Sequence, residues 1–86
     1  MAELLGNPLR RIRVLTKNDD VHNIKDGIYS YHNDNKPSNS YGYNALLIQI
    51  SSLEGNIYKY QVAIASNEQK AAVKFYYGSW SSWIEL

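Results

Sequence analysis

Between Ile57 and Tyr77 the chain alternates, and this alternation limits its fold more than any other feature. Tyr58, Tyr60, Val62 and Ile64 fall on one set of positions, with Lys59, Gln61, Ala63 and Ala65 between them. After a polar break over 66–69, Val73, Phe75 and Tyr77 alternate with Ala72, Lys74 and Tyr76. A period of two is that of a β-strand with two unlike faces, whereas a helix would need apolar residues at spacings of three and four. Two such runs joined by a short turn predict an antiparallel pair.

The upstream segments extend the pattern. Tyr43 to Ser51 holds the continuous run Ala45-Leu46-Leu47-Ile48, which predicts a central strand covered on both faces. Leu53-Glu54-Gly55-Asn56 reads as the hairpin turn leading into the Ile57 to Ala65 strand, with Gly where a positive φ is wanted. Asp26-Gly27 marks a turn before a short strand over Ile28 to Tyr31. Asp19 or Asp20 is placed to cap a single helical turn that carries Val21 and Ile24 inward. Ile12 and Val14, between Arg11 and Arg13, read as an edge strand or N-terminal arm. From 33 to 42 the chain is rich in Asn and Ser and holds Asp, Lys, Pro and Gly, so it reads as a long polar loop with no face to bury. The expected fold is mainly β, small α+β at most: an antiparallel meander sheet with one short N-terminal helical turn and a long polar loop. An arm or edge strand over 1–17 would precede a β domain over 18–86.

Size sharpens this expectation. A chain of 86 residues buries only about 60% of its unfolded surface and is marginal alone. Small folds draw extra stability from disulfides, metals or association. There is no Cys, and two His are thin for a structural metal site. By elimination, the expected supplement is association with copies of itself. Nine Lys or Arg against eight Asp or Glu leave a net charge of +1, which creates no field for nucleic acid. Arg10, Arg11 and Arg13 are the only residues that suggest a phosphate-binding arm. The longest apolar run, Ala45 to Ile48, is far too short to span a membrane, so no membrane insertion is expected. Residues 1–8 lack the basic and apolar regions of a secretory signal, so synthesis in a cytoplasm is expected.

Catalytic chemistry finds little to stand on. His22 and His32 lie in different predicted elements with no third ligand at a diagnostic spacing. Glu54 and Glu68 sit in turns, where a chain this small hardly forms the cleft that paired-carboxylate hydrolysis requires. No phosphate loop, nucleophile elbow or zinc spacing occurs. The expectation is a protein that is not an enzyme and has no cofactor and no metal.

The aromatic content points to contact surfaces instead: eight Tyr, two Trp and one Phe. Tyr58 and Tyr60 share a face with Val62 and Ile64 and are assigned to the core or a subunit interface, and at least one of Tyr29 and Tyr31 to the core. Tyr41 and Tyr43 border the polar loop. With Asn39, Ser40 and Asn44 they are the candidate receptor contacts, offering rings and hydrogen bonds to a saccharide; ordinary anchoring of loop to sheet is the other reading. Trp80 and Trp83 are either a sugar-stacking platform or plugs at the open end of the sheet, with the indole N–H tied to a carbonyl.

The order of these pieces resembles a known family. Asp20-Val21-His22-Asn23-Ile24, then Gly27-Ile28-Tyr29, an Asn/Pro/Ser loop, an apolar strand, Gln61 in the next strand, and finally Trp80-Ser81-Ser82-Trp83 are similar to the pyocin-knob type of domain in phage tail fibres and tail-like bacteriocins. The likeness runs from about residue 18 to 86, and Trp-Ser-Ser-Trp is its most specific part. His22 stands where that family more often has Leu, and Gly78 where it often has Arg. The resemblance makes Gly27, Tyr29, Gln61, Trp80 and Trp83 scaffold residues. It implies a phage or prophage tail protein located in the virion, structural or receptor-binding, and oligomeric with a homotrimer favoured. Its partners would be copies of itself, other tail proteins and cell-surface polysaccharide, with no nucleic acid. The alternative is a free bacterial carbohydrate-binding or adhesion module.

Overall fold

The computed structural model describes residues 12–52 and 57–86, and is mainly β. Its six strands are β1 (Ile12–Val14), β2 (Gly27–Tyr31), β3 (Ala45–Ser51), β4 (Tyr58–Ala65), β5 (Lys70–Tyr77) and β6 (Ile84–Glu85). They form one sheet whose spatial order is the chain order. The pairs from β2 through β6 are antiparallel, as a meander requires, while β1 lies parallel to β2. That parallel pairing needs a crossover, and residues 15–26 supply it.

The crossover contains the expected helical turn, a single 3-10 turn over Val21–Asn23. Asp20 caps it by accepting the backbone N–H of His22 at 2.9 Å. Val21 is wholly buried beneath the turn, and Ile24 packs partly against the core. Two further 3-10 turns occur where one helical turn was expected. Asn33–Asn35 opens the long loop, and Ser66–Glu68 closes the β4–β5 hairpin, with Gln69 left-handed behind it. Leu15 is buried in the same core as the sheet residues, so the described part of the N-terminal segment is built into the domain. The expected hairpin at 53–56, the segment 1–11 with Arg10 and Arg11, and Glu54 lie outside the described residues.

The register places the side chains in rows across the sheet. Tyr29, Leu47, Ala63 and Ala72 form one row of the inner face, and Gly27, Gln49, Gln61 and Lys74 form the next. Every residue in these two rows is buried. Three pieces of chain cover them: the Val21 turn, the loop with buried Pro37 and half-buried Tyr41, and the C-terminal segment with Trp83. The small side chains of Ala63, Ala65 and Ala72 allow this cover to come close, while Tyr29 and Tyr31 fill the space beside it.

The outer face carries Ile28, Ile48, Val62, Val73 and Ile84 in one row, and Ile50, Tyr60 and Phe75 in another. Nothing in the described chain lies over it. This corrects two expectations. β3 is covered on one face only, since Leu46 and Ile48 are half-exposed and Ile50 is exposed. For Tyr58 and Tyr60, read as core or subunit interface, exposure with Ile64 on the outer face removes the core half of that expectation. The polar-looking face of β4 and β5 is the buried one, because the cover presents backbone carbonyls for the Gln49 and Gln61 amides and a ring nitrogen for the Lys74 ammonium, which aliphatic side chains could not satisfy. The long loop, expected to bury nothing, closes this side of the sheet.

Candidate functional site

The loop that was expected to meet a receptor is largely committed to holding the domain together. Asn39 accepts the Val21 N–H through Oδ1 at 3.2 Å and donates through Nδ2 to Asp20 at 2.6 Å, while its carbonyl accepts the Trp83 indole N–H at 3.0 Å. Ser40 Oγ donates to the Pro37 carbonyl at 2.6 Å. Asn44 Oδ1 accepts the Asn33 N–H at 3.0 Å. The Tyr41 ring lies against Trp83 at 5.7 Å, under the Lys70 ammonium at 5.0 Å. Its hydroxyl is sealed from solvent with no well-formed hydrogen bond among the described residues, and desolvation, then the nearby Glu85 carboxylate, push its pKa up to about 12. Of the five residues only Tyr43 presents an open ring, with Lys36 Nζ 5.8 Å from its centroid. The chain must turn sharply to reach it. Gly42 has φ +74, and a Cβ there would lie 2.9 Å from Glu68 Oε1, the atom that accepts the Tyr43 N–H at 3.0 Å.

The scaffold residues converge instead on the inner face. Gln61, fully buried, donates through Nε2 to the Val21 carbonyl at 2.6 Å and to Gln49 Oε1 at 2.8 Å, and Gln49 Nε2 donates to the Ile24 carbonyl at 2.9 Å. The two glutamines thus tie the crossover to the middle of the sheet, Gln61 through its amide donor and Gln49 through both its donor and its acceptor. Tyr29 donates its hydroxyl to the Lys25 carbonyl at 2.5 Å. Gly27, at φ 153, starts β2 beside it. Trp83 is half-buried with its indole N–H tied to a carbonyl, so it acts as a plug and not as an open platform.

Sequence reasoning missed the residue at the centre of this group. Lys74 belongs to the buried row of β5 and is 4% exposed. Its Nζ lies 2.7 Å from His22 Nε2 and 5.0 Å from the Trp83 ring centroid. His22 in turn stacks on Trp80, with centroids 5.1 Å apart and planes 9° from parallel. An ammonium can only donate, so this contact requires an unprotonated Nε2 and hence neutral imidazole. Desolvation, then the Lys74 charge, hold the His22 pKa below its ordinary value, although Asp20 pulls the other way. Burial likewise lowers Lys74. The only advance signal was that Lys74 shares a strand face with Ala72, one residue type that suits a tight cover and one that does not.

His32 is exposed, and Glu68 serves the β4–β5 turn through Tyr43 and a 3.9 Å contact with Lys70. Among the described residues no group of three His, Cys, Asp or Glu side chains is placed to hold a metal ion. No described helix is long and apolar enough to cross a membrane. Arg13 is exposed on the edge strand β1.

The largest feature without an internal purpose is the outer face of the sheet. From β2 to β5 it carries Ile28, Leu46, Ile48, Ile50, Tyr58, Tyr60, Val62, Ile64, Val73, Phe75 and Tyr77, with only Ser30 and Ala71 between them, and not one charged side chain. The aromatic residues pair across strands: Tyr58 stacks on Tyr77 at 5.0 Å, and Tyr60 meets Phe75 edge to face at 6.4 Å. Strands of about 25 Å, four abreast at ~4.8 Å spacing, give this face a projection on the order of 500 Å². That is near the upper limit of apolar patches on lone soluble domains. No family model matches the chain, and neither does any curated protein or any solved structure.

Proposed function

We propose that this chain is a non-catalytic assembly module, a knob-like component of a phage or prophage tail, that works as a homo-oligomer with its outer sheet face buried against copies of itself. The observation that carries this reading is the uncharged apolar outer face. A face without charge offers no electrostatic match to a charged partner, whereas a second copy brings an equally large and equally apolar surface. In the compact association of small β domains, such a face is what becomes the shared core. Its projected area, roughened by side chains, is comparable with the ~800 Å² of accessible surface that each partner contributes to a standard interface. Three copies around one axis, each turning this face inward, is the arrangement in keeping with the tail-knob resemblance. The inner face, with its glutamine ties and tryptophan plug, is then the scaffold that makes each copy rigid enough to assemble.

The polar loop stands away from that face. Tyr43, exposed beside Lys36, is the residue through which an assembled knob would touch a cell-surface polysaccharide.

Sedimentation velocity of the purified chain at micromolar concentration tests the assembly reading. A discrete species of three chain masses is expected, and a stable monomer would refute it. Mass spectrometry of purified virions from a host carrying the gene tests the tail assignment separately, and absence of the chain from intact particles would remove it.

A further inference from the structure

We propose that His22 and Lys74 form an acid-released clasp that fixes the Trp80 and Trp83 side chains at the inner face of the sheet. Three elements meet at this point. The crossover turn brings His22, β5 brings Lys74, and the C-terminal segment brings both tryptophans. The imidazole is sandwiched by role: its flat face rests on Trp80, and its Nε2 takes a proton donor from Lys74 at 2.7 Å. The same ammonium lies over Trp83, so one cation organises the imidazole and one indole together.

Such a contact exists in one protonation state of the imidazole. When His22 takes a proton from water, Nε2 loses its lone pair and the hydrogen bond has no acceptor. Two cations then face each other at hydrogen-bond distance in a partly desolvated site. The charged groups bearing on His22 are Lys74 from β5, which opposes its protonation, and Asp20 from its own turn, which favours it. Asp20 offsets this only in part, because desolvation and the Lys74 charge both outweigh it. The half-buried imidazole has a short path to water. As it leaves, Trp80 loses its stacking partner and keeps the Tyr76 ring, 5.2 Å away, Lys74 loses the partner that fixes it over Trp83, and the backbone bonds from Ser81 to Phe75 and from Leu86 to Ala71 remain. The β2–β5 ladder contains none of these contacts and stays intact.

The sign follows from linkage. The folded-state pKa of His22 is depressed, so the unfolded chain binds the extra proton first. The clasp is therefore complete above the unfolded value of 6.5 and is lost as the pH falls through a lower folded-state midpoint.

Tryptophan emission of the intact chain, recorded from pH 8 to pH 4 beside far-ultraviolet circular dichroism, reads the release. We expect a one-proton change in emission with a midpoint below 6.5 and an unchanged β signal. Two variants assign it: His32→Gln keeps the transition, and Lys74→Met moves the midpoint up towards 6.5 by removing the opposing charge. Nuclear magnetic resonance titration of the His22 ring in the unmodified chain needs no variant and gives the same midpoint. A His22 ring that titrates at or above 6.5, or an emission change that persists unaltered in folded His22→Gln, overturns the proposal.

Discussion

Replacing Val62 by Lys puts the assembly reading at risk most directly. Val62 sits mid-strand in β4, flanked on the outer face by Ile48 and Val73. In a lone chain the change is mild. The position is half-exposed, and a lysine stem can lie along the apolar neighbours while its ammonium reaches water. The loss there is a β-propensity and packing difference of about 1 kcal/mol. In an assembly that buries this face the same ammonium has no route to water and no counter-charge, because the face carries none. An unpaired buried charge costs several kcal/mol, on the order of 3–5 in proteins that have been tested. At 1.4 kcal/mol per factor of ten, the difference of at least ~2 kcal/mol per chain weakens association more than about 25-fold at each contact. Sedimentation equilibrium of unmodified chain, Val62→Lys and an exposed loop control, Ser38→Lys, measures this. The control should retain the assembled mass, while Val62→Lys should run as a folded monomer. A Val62→Lys chain with the same mass distribution as the unmodified chain would show that the outer face is not the interface.

Gln61→Met keeps volume but leaves the Val21 carbonyl and Gln49 Oε1 without their donor; it also deletes Gln61 Oε1, which is buried without a partner among the described residues. The net loss should be about 2 kcal/mol, a melting temperature lower by roughly 8–16 °C in calorimetry, and an unchanged melting temperature would deny the tie between crossover and sheet. Gly42→Ala and Gly78→Ala both place an L side chain at positive φ, +74 and +77, which costs about 1 kcal/mol each. Only at Gly42 does the new Cβ also meet Glu68 Oε1 and Ala65 Cβ, so Gly42→Ala should unfold at clearly lower urea than Gly78→Ala; equal midpoints would contradict the close approach. The Asp20 carboxyl is held below 3.8 chiefly by the His22 backbone N–H, so its share of stability is present above that value and lost as the pH falls through the folded-state pKa. Asp20→Asn, which keeps a capping oxygen without titrating, should flatten the stability profile in that acid range when measured by urea titration at successive pH values.

Local chemistry made much of the architecture readable. Alternation marked β4 and β5, the polar break at 66–69 marked their hairpin, and a cap at Asp19 or Asp20, which the structure resolves as Asp20, placed the turn that buries Val21. These depend on neighbours in sequence, where backbone sterics and short-range hydrogen bonds decide. The candidate site was less legible. Asn39 looked like a free ligand-binding amide because composition cannot say that Val21, Asp20 and Trp83 are already its partners.

What the amino-acid order determined by itself was that the sheet has two unlike faces; which face is covered was decided only in three dimensions. A period of two is symmetric to inversion, and hydrophobicity alone would place Tyr60, Val62 and Phe75 inside. The crossover, the loop and the C-terminal segment all pass on the other side, bringing carbonyls that must be hydrogen-bonded. Gln49 and Gln61 meet that demand, Lys74 finds the His22 ring nitrogen of the same cover, and valine or isoleucine could do neither, so the polar-looking row is buried and the apolar one is left for another surface.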